Sequence, residues 1–180
     1  MKITEQQSNY SNLDAMTTEE ILEGINNEDR TVPEAVGAVI PEIGMLVDGV
    51  VSRMRQGGRL FYIGAGTSGR LGIVDASEIP PTFGAPSDRV IGLIAGGDGA
   101  IRRAVEGAED DPEQGWKDIL AFSPTPADTL VGIAASGTTP YVIGAVKTAR
   151  AKGLLTACIT CNSDTPLAEA AEIPIAAVVG

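Results

Sequence analysis

The sequence contains no histidine. That removes the usual general base near neutral pH, the commonest zinc ligand and every Ser-His or Cys-His nucleophile pair. Acid–base chemistry is left to carboxylates, lysine, tyrosine and cysteine. Basic residues are scarce too: 13 Lys and Arg stand against 24 Asp and Glu, a formal net charge of −11. Such a field repels nucleic acid and anionic membrane surfaces, so neither is an expected partner. An anionic ligand would have to be held by local donors. Only two cysteines occur, in Cys158-Ile-Thr-Cys161. Without histidine they are too few for a structural zinc, and no metal site is expected. Cys158 lies in the apolar run LLTACIT and reads as a core residue rather than half of a redox pair. No window reaches the roughly 18 consecutive apolar residues of a membrane span. The start, MKITEQQSNYSN, has neither the basic nor the apolar region of a signal peptide. A cytoplasmic protein is expected.

What is present suffices for one core: 180 residues, 43% of them hydrophobic. Thr17-Thr-Glu-Glu20 and Thr31-Val-Pro-Glu34 are capping boxes that predict two N-terminal helices. The second carries Val32, Val36, Val39, Ile43, Leu46, Val50 and Met54 at helical spacing, with a kink expected at Pro41 and a stop at Gln56-Gly-Gly58. From Arg59 onward, apolar strands alternate with helices. Strands are predicted at Leu60–Ile63, Val90–Ala95, Thr129–Ala134, Leu154–Ile159 and Ile173–Val178. Near-continuous apolar strands separated by helices predict an α/β fold, a three-layer sandwich with a mainly parallel sheet flanked by helices. Residues 1–56 read as a helical segment packing on a domain of residues 57–180.

The loop Gly64-Ala-Gly-Thr-Ser-Gly69 fits the dinucleotide pattern G-x-G-x-x-G. The acidic residue that would hold a ribose, about 20 residues further on, has no good candidate: Asp88 precedes the second strand and Asp98 lies in another glycine loop. A P-loop fails for want of its lysine. Two hydroxyl-rich loops suit a smaller anion better. Gly66, Thr67 and Ser68, and then Ser136, Gly137, Thr138 and Thr139, each set hydroxyls and backbone N–H groups at a predicted helix N-terminus. Such a site holds a phosphate by dipole and hydrogen bonds without lysine. Plain helix capping is the competing explanation. Arg70, in the second helical turn, is expected to face solvent unless it assists the anion.

Two acidic segments could supply chemistry. Glu78 stands before Pro80-Pro81, which are expected to end the helix and hold the glutamate at a rigid turn; a solvated helix-end glutamate is the alternative. Glu106, Glu109, Asp110 and Asp111 form a charge run, usually a solvated face, and spacing singles out none of them.

In GRLFYIGAGTSGRLGIVDASEIPPTFG, GLIAGGDGAIRRAVEGAEDD and GIAASGTTPYVIGA the sequence resembles the N-acetylmuramic acid 6-phosphate etherases of the sugar isomerase (SIS) fold superfamily. The resemblance implies a SIS domain, a homodimer with its active sites near the subunit interface, and no metal or nucleotide cofactor. It implies conversion of N-acetylmuramic acid 6-phosphate and water to N-acetylglucosamine 6-phosphate and D-lactate, in recycling of cell-wall sugar. By motif it implies Glu78 and Glu109 as the catalytic pair, with Glu78 the acid and Glu109 the base. The phosphate falls to Gly66, Thr67, Ser68, Ser136, Gly137, Thr138 and Thr139. Family members continue into a Ser/Thr-Arg-Met-Lys stretch and a helical region, and this chain stops before both, so it is expected to be a piece of a longer protein. A sugar-phosphate-binding regulator resembling the glucokinase regulatory proteins would keep the loops without needing either glutamate. An aldose–ketose isomerase is the third reading.

Overall fold

The computed structural model describes residues 3–179. Two 3-10 turns, Ile3–Glu5 and Leu13–Ala15, precede helix α1 (Thr18–Asp29). The first capping box forms: Thr17 Oγ1 accepts from the Glu20 N–H, and Glu20 Oε2 accepts from the Thr17 N–H at 2.7 Å. The second does not. Thr31 is itself helical in conformation, and its hydroxyl donates to the Glu28 carbonyl at 2.8 Å, so α2 (Val32–Ala38) follows α1 almost without interruption. The long helix expected beyond Thr31 is broken at Val39, where α3 (Ile40–Arg55) departs at 59°. Pro41 explains the break, because it has no N–H for the Gly37 carbonyl and its ring crowds that oxygen.

Five strands follow: β1 (Leu60–Gly64), β2 (Val90–Ile94), β3 (Thr129–Ile133), β4 (Leu155–Thr160) and β5 (Ile173–Ala176). All pair in parallel, in the order β2-β1-β3-β4-β5. Between them run α4 (Gly66–Phe83), α5 (Gly99–Arg102), α6 (Gln114–Leu120), α7 (Pro140–Ala151) and α8 (Pro166–Ala170). Alternation along β1 splits the core into two layers. Phe61 and Ile63 meet Ile119 of α6, Tyr141, Val142 and Val146 of α7 and Leu167 of α8. Leu60 and Tyr62 face the other way, toward Leu46, Val50 and Met54 of α3 and Ala76 and Ile79 of α4. The expected parallel sheet between helical layers is therefore present.

Two local readings differ. Pro80 and Pro81 lie inside α4, which continues to Phe83 and closes on Gly84 in the left-handed region at φ 65°. The missing N–H groups fall in the last turn, and the Gly84 N–H bonds to the Pro80 carbonyl at 2.9 Å, so only two helical bonds are forfeited. Helix α8 starts at the end of the run Asn162-Ser-Asp-Thr-Pro166, whose residue types read as a turn. Its cap is legible in hindsight: Thr165 Oγ1 accepts from the Ala168 N–H at 3.1 Å, with Pro166 in the first turn. Cys158 is fully buried in β4, where burial pushes its thiol up to about 11, and neither cysteine is disulfide-bonded. Among the described residues no single helix is long and apolar enough to cross a membrane.

Candidate functional site

Chain order and sheet order diverge between β1 and β3. The chain leaves β1 through α4 to reach β2 on one side, and leaves β3 through α7 to reach β4 on the other. Right-handed crossovers then put the two helices on opposite faces, and a crevice opens between their N-termini. The two hydroxyl-rich segments are the ones that follow β1 and β3, so the sheet sets them side by side at this crevice.

The first segment is helical from the outset. Ala65 is extended and has no side-chain cap bond; α4 starts at Gly66, and the first backbone bond back to Ala65 comes from Gly69 at 3.2 Å. The N–H groups of Gly66, Thr67 and Ser68 precede that bond and form the open end of an 18-residue helix. The glycine pattern has a packing cause that requires no dinucleotide. A Cβ on Gly64 would lie 2.6 Å from the Gly69 nitrogen, and one on Gly69 would lie 2.6 Å from Ile94 Cγ1. These two glycines let helix and strands approach closely.

The second segment is a turn. Ser136 Oγ accepts from the Thr138 N–H at 3.3 Å and from the Thr138 hydroxyl at 3.1 Å. Gly137 is left-handed at φ 66°, and a Cβ there would fall 2.4 Å from Thr165 Oγ1. The backbone of this turn is fixed on both sides, since the Gly137 N–H donates to the Ala134 carbonyl and its own carbonyl accepts from Leu167. Helix α7 offers fewer donors than expected. Pro140 has no N–H, and the Tyr141 N–H donates to the Glu109 carbonyl at 3.0 Å. Loop hydroxyls, rather than a helix end, are what this side presents.

That Tyr141–Glu109 bond pins the backbone of Glu109 beside the second turn. A cleft of about 190 Å³ is lined by Ala65, Gly66, Arg70, Glu106 and Glu109, among others. Glu106 and Glu109 thus both stand beside the start of the first loop, while Asp110 and Asp111 do not line the cleft. Arg70 also lines this cleft and does not face open solvent. Its Nε donates to the Ile101 carbonyl at 2.8 Å and a terminal nitrogen to Ala100 at 2.7 Å, both on α5.

Glu78 is elsewhere. It is exposed in the body of α4, not at a turn, and twelve residues beyond Gly66 put it about 18 Å along the axis. It does not line the cleft that holds Glu109. Thr67, Leu71, Val74 and Glu78 instead form one stripe at i, i+4, i+7 and i+11, with Leu71 60% and Val74 58% exposed. An exposed apolar stripe leading up to a carboxylate is unusual for a face that ends in water. Among the described residues no cluster of three or more His, Cys, Asp or Glu converges to hold a metal.

Residues 42–150 match the family described as "Glucokinase regulatory protein N-terminal SIS domain". The chain is 60% identical over 179 residues to an N-acetylmuramic acid 6-phosphate etherase of Porphyromonas gingivalis, covering 99% of this chain and 65% of that protein. A second etherase, from Bacteroides thetaiotaomicron, is 58% identical over all 180 residues, which again span 65% of it. The chain therefore spans about 65% of the length of these curated relatives. Among solved structures, a phosphoheptose isomerase from Francisella tularensis superposes with a TM-score of 0.69 at 22% identity, covering 90% of this chain and 86% of that one. A phosphoheptose isomerase from Neisseria gonorrhoeae gives 0.66 at 18% identity, with 88% and 84% covered. At these identities the structural likeness concerns the fold. The sheet order, the paired turns at its switch point and a family match across well over half of the residues agree: the chain belongs to the family of glucokinase regulatory protein N-terminal SIS domains.

Proposed function

We propose that the protein acts as an N-acetylmuramic acid 6-phosphate etherase, releasing D-lactate and N-acetylglucosamine 6-phosphate in recycling of cell-wall sugar in the bacterial cytoplasm. The observation that carries this reading is identity of 55–60% with etherases from three organisms across 93–100% of the chain. Because the chain spans 65% of the first of these relatives, the activity is ascribed to the protein as a whole.

The chemistry follows from the substrate. In the open-chain sugar the aldehyde acidifies the C2 hydrogen, and the lactyl ether at C3 is a β leaving group. One carboxylate takes the C2 proton. The other protonates the departing ether oxygen, since an alkoxide leaves poorly. Water then adds to the unsaturated aldehyde at C3, so that the net change is hydrolysis of the ether. Acid and base steps each contribute about 10²–10⁴-fold. Phosphate is held by Gly66, Thr67 and Ser68 on one side and by Ser136, Gly137, Thr138 and Thr139 on the other. Glu109 beside the first loop serves as the C2 base, and Glu78 as the acid.

Glu78 does not line the cleft that holds Glu109 of its own chain, and lies about 18 Å along α4 from Gly66. The exposed Leu71–Val74 stripe around it supports a homodimer in which Glu78 of one subunit completes the site of the other. A second reading is favoured by the family match itself: a sugar-phosphate-binding regulator that uses the turns and neither glutamate.

The test is D-lactate release from N-acetylmuramic acid 6-phosphate. It is run with this chain and with a chimera extended by the remaining third of the Porphyromonas gingivalis relative. Release is expected, and Glu78→Gln and Glu109→Gln are each expected to lower it by about 10²–10⁴-fold while sugar-phosphate binding persists. A folded chimera that binds the sugar phosphate and releases no lactate would support the regulator instead.

A further inference from the structure

Glu109 has to be held still to act, yet it lies in a segment with little structure of its own. Between α5 and α6 the chain runs through Arg103–Asp111, and Arg103 to Gly107 are all exposed. Its backbone bonds there are short-range and long: Ala108 to Val105 at 3.5 Å and Asp110 to Gly107 at 3.3 Å. Two firm anchors bracket the segment. At its far end, the Tyr141 N–H holds the Glu109 carbonyl at 3.0 Å. At its near end, the Arg70 guanidinium spans the Ala100 and Ile101 carbonyls at 2.7 and 2.8 Å.

The near anchor reaches across from the helix whose first turn presents Gly66, Thr67 and Ser68. A planar fork on two successive carbonyls is a geometry that lysine's single ammonium does not reproduce. Those carbonyls are in the last turn of a four-residue helix, where they lack helical partners and a cation is favoured. The same side chain lines the cleft with Gly66 and Glu109, so it is the covalent continuation of one half of the site and the non-covalent clasp of the other.

We infer that Arg70 is a positioning residue: by clasping α5 it fixes the distance between the phosphate-binding turn of α4 and the Glu109 carboxylate. This rests on the etherase reading above. The two carbonyls take Nε and one terminal nitrogen of the fork, the edge that a bidentate phosphate contact would otherwise use.

Two measurements test it, one of them independent of activity. In hydrogen exchange on the 180-residue chain, Arg70→Met and Arg70→Lys are both expected to speed exchange of the bonded amides within 101–109, those of Ile101, Arg103 and Ala108, at least tenfold, with β1 and β3 unchanged. In the lactate assay both variants are expected to lose about 10²-fold in kcat, the scale of a misplacement near 1 Å, with KM within about twofold of wild type. Unchanged exchange in 101–109 would overturn the clasp. A raised KM with kcat retained, rescued by lysine, would overturn it differently, by making Arg70 a phosphate ligand. A wild-type protein that releases no lactate defeats the etherase reading, and the exchange result still decides the clasp. If Arg70→Met does not fold, Arg70→Lys, which keeps the charge and the helix propensity, carries both measurements.

Discussion

Two residues show how differently single positions are constrained at the two ends of the sheet. At the site end, Gly137 combines a left-handed backbone with a Cβ position already filled by Thr165. Gly137→Ala is expected to cost about 1–2 kcal/mol for the backbone and about 1–3 for the clash. A lowered urea midpoint together with weaker sugar-phosphate binding checks this, because Gly137 shapes the turn that carries the Ser136 and Thr138 hydroxyls. At the opposite end, Asp128 is 1% exposed and accepts from the Arg59 backbone at 2.8 Å, the Arg59 guanidinium at 2.9 Å and the Thr125 N–H at 2.7 Å. Burial pushes its carboxyl upward, but the bonds from Arg59 and Thr125 outweigh burial and hold it below the usual range. A carboxylate depressed in the folded state contributes stability that is fully present above its unfolded value near 4 and is lost as pH falls through the folded value. Asp128→Asn should therefore cost roughly 1–3 kcal/mol at neutral pH, and should flatten the loss of stability below about pH 4. Urea titrations of both proteins on either side of that pH decide it. Neither constraint was legible in the sequence: the Gly137 position in a hydroxyl-rich loop carries no sign of Thr165 against it, and nothing near Asp128 in the chain points to Arg59.

Among the elements, α4 and the α2–α3 pair depart most from their sequence patterns, and both involve proline. A lone Pro41 in mid-stripe breaks the helix into two at Val39, because the Gly37 carbonyl is crowded where the helix would otherwise run on. Two successive prolines in α4 break nothing, because they fall in its last turn. The rule is the same; the position within the element changes the outcome. The consequence for α4 is functional, since it keeps Glu78 on a helix face with Leu71 and Val74 instead of at a turn. Leu71→Asp or Val74→Asp is expected to turn a dimer into a monomer in sedimentation equilibrium, and to abolish lactate release without lowering the urea midpoint. A monomeric wild type with full activity would be incompatible with a site shared between subunits. The five-residue α8 escaped notice for a simpler reason, being shorter than one and a half helical turns and so without periodicity.

The molecule as a whole carries −11 charges and is proposed to capture a phosphate dianion. Long-range repulsion then opposes encounter, while amides and hydroxyls at the switch point hold the anion at contact distance. Salt screens the first and leaves the second largely intact. For the etherase, kcat/KM is expected to rise between low and physiological ionic strength, the reverse of an enzyme with a lysine-lined phosphate site. Stopped-flow or steady-state assays across salt concentration would read the sign directly.

Taken alone, the order of residues determined the α/β class, the strands and most helices, because apolar runs and capping residues act through neighbours in the chain. It also marked both hydroxyl-rich segments and set aside the dinucleotide reading. It could not order the strands, and so could not say that the segments after β1 and β3 are adjacent, which depends on pairing between residues such as Leu60 and Thr129. Nor could it set the segment with Glu106 and Glu109 beside Gly66, or turn Arg70 away from solvent. Those placements come from single bonds, the Tyr141 N–H to the Glu109 carbonyl and the Arg70 guanidinium to the Ala100 and Ile101 carbonyls, between segments that only packing brings into reach. Local chemistry specified the parts, and tertiary contacts decided which of them face one another.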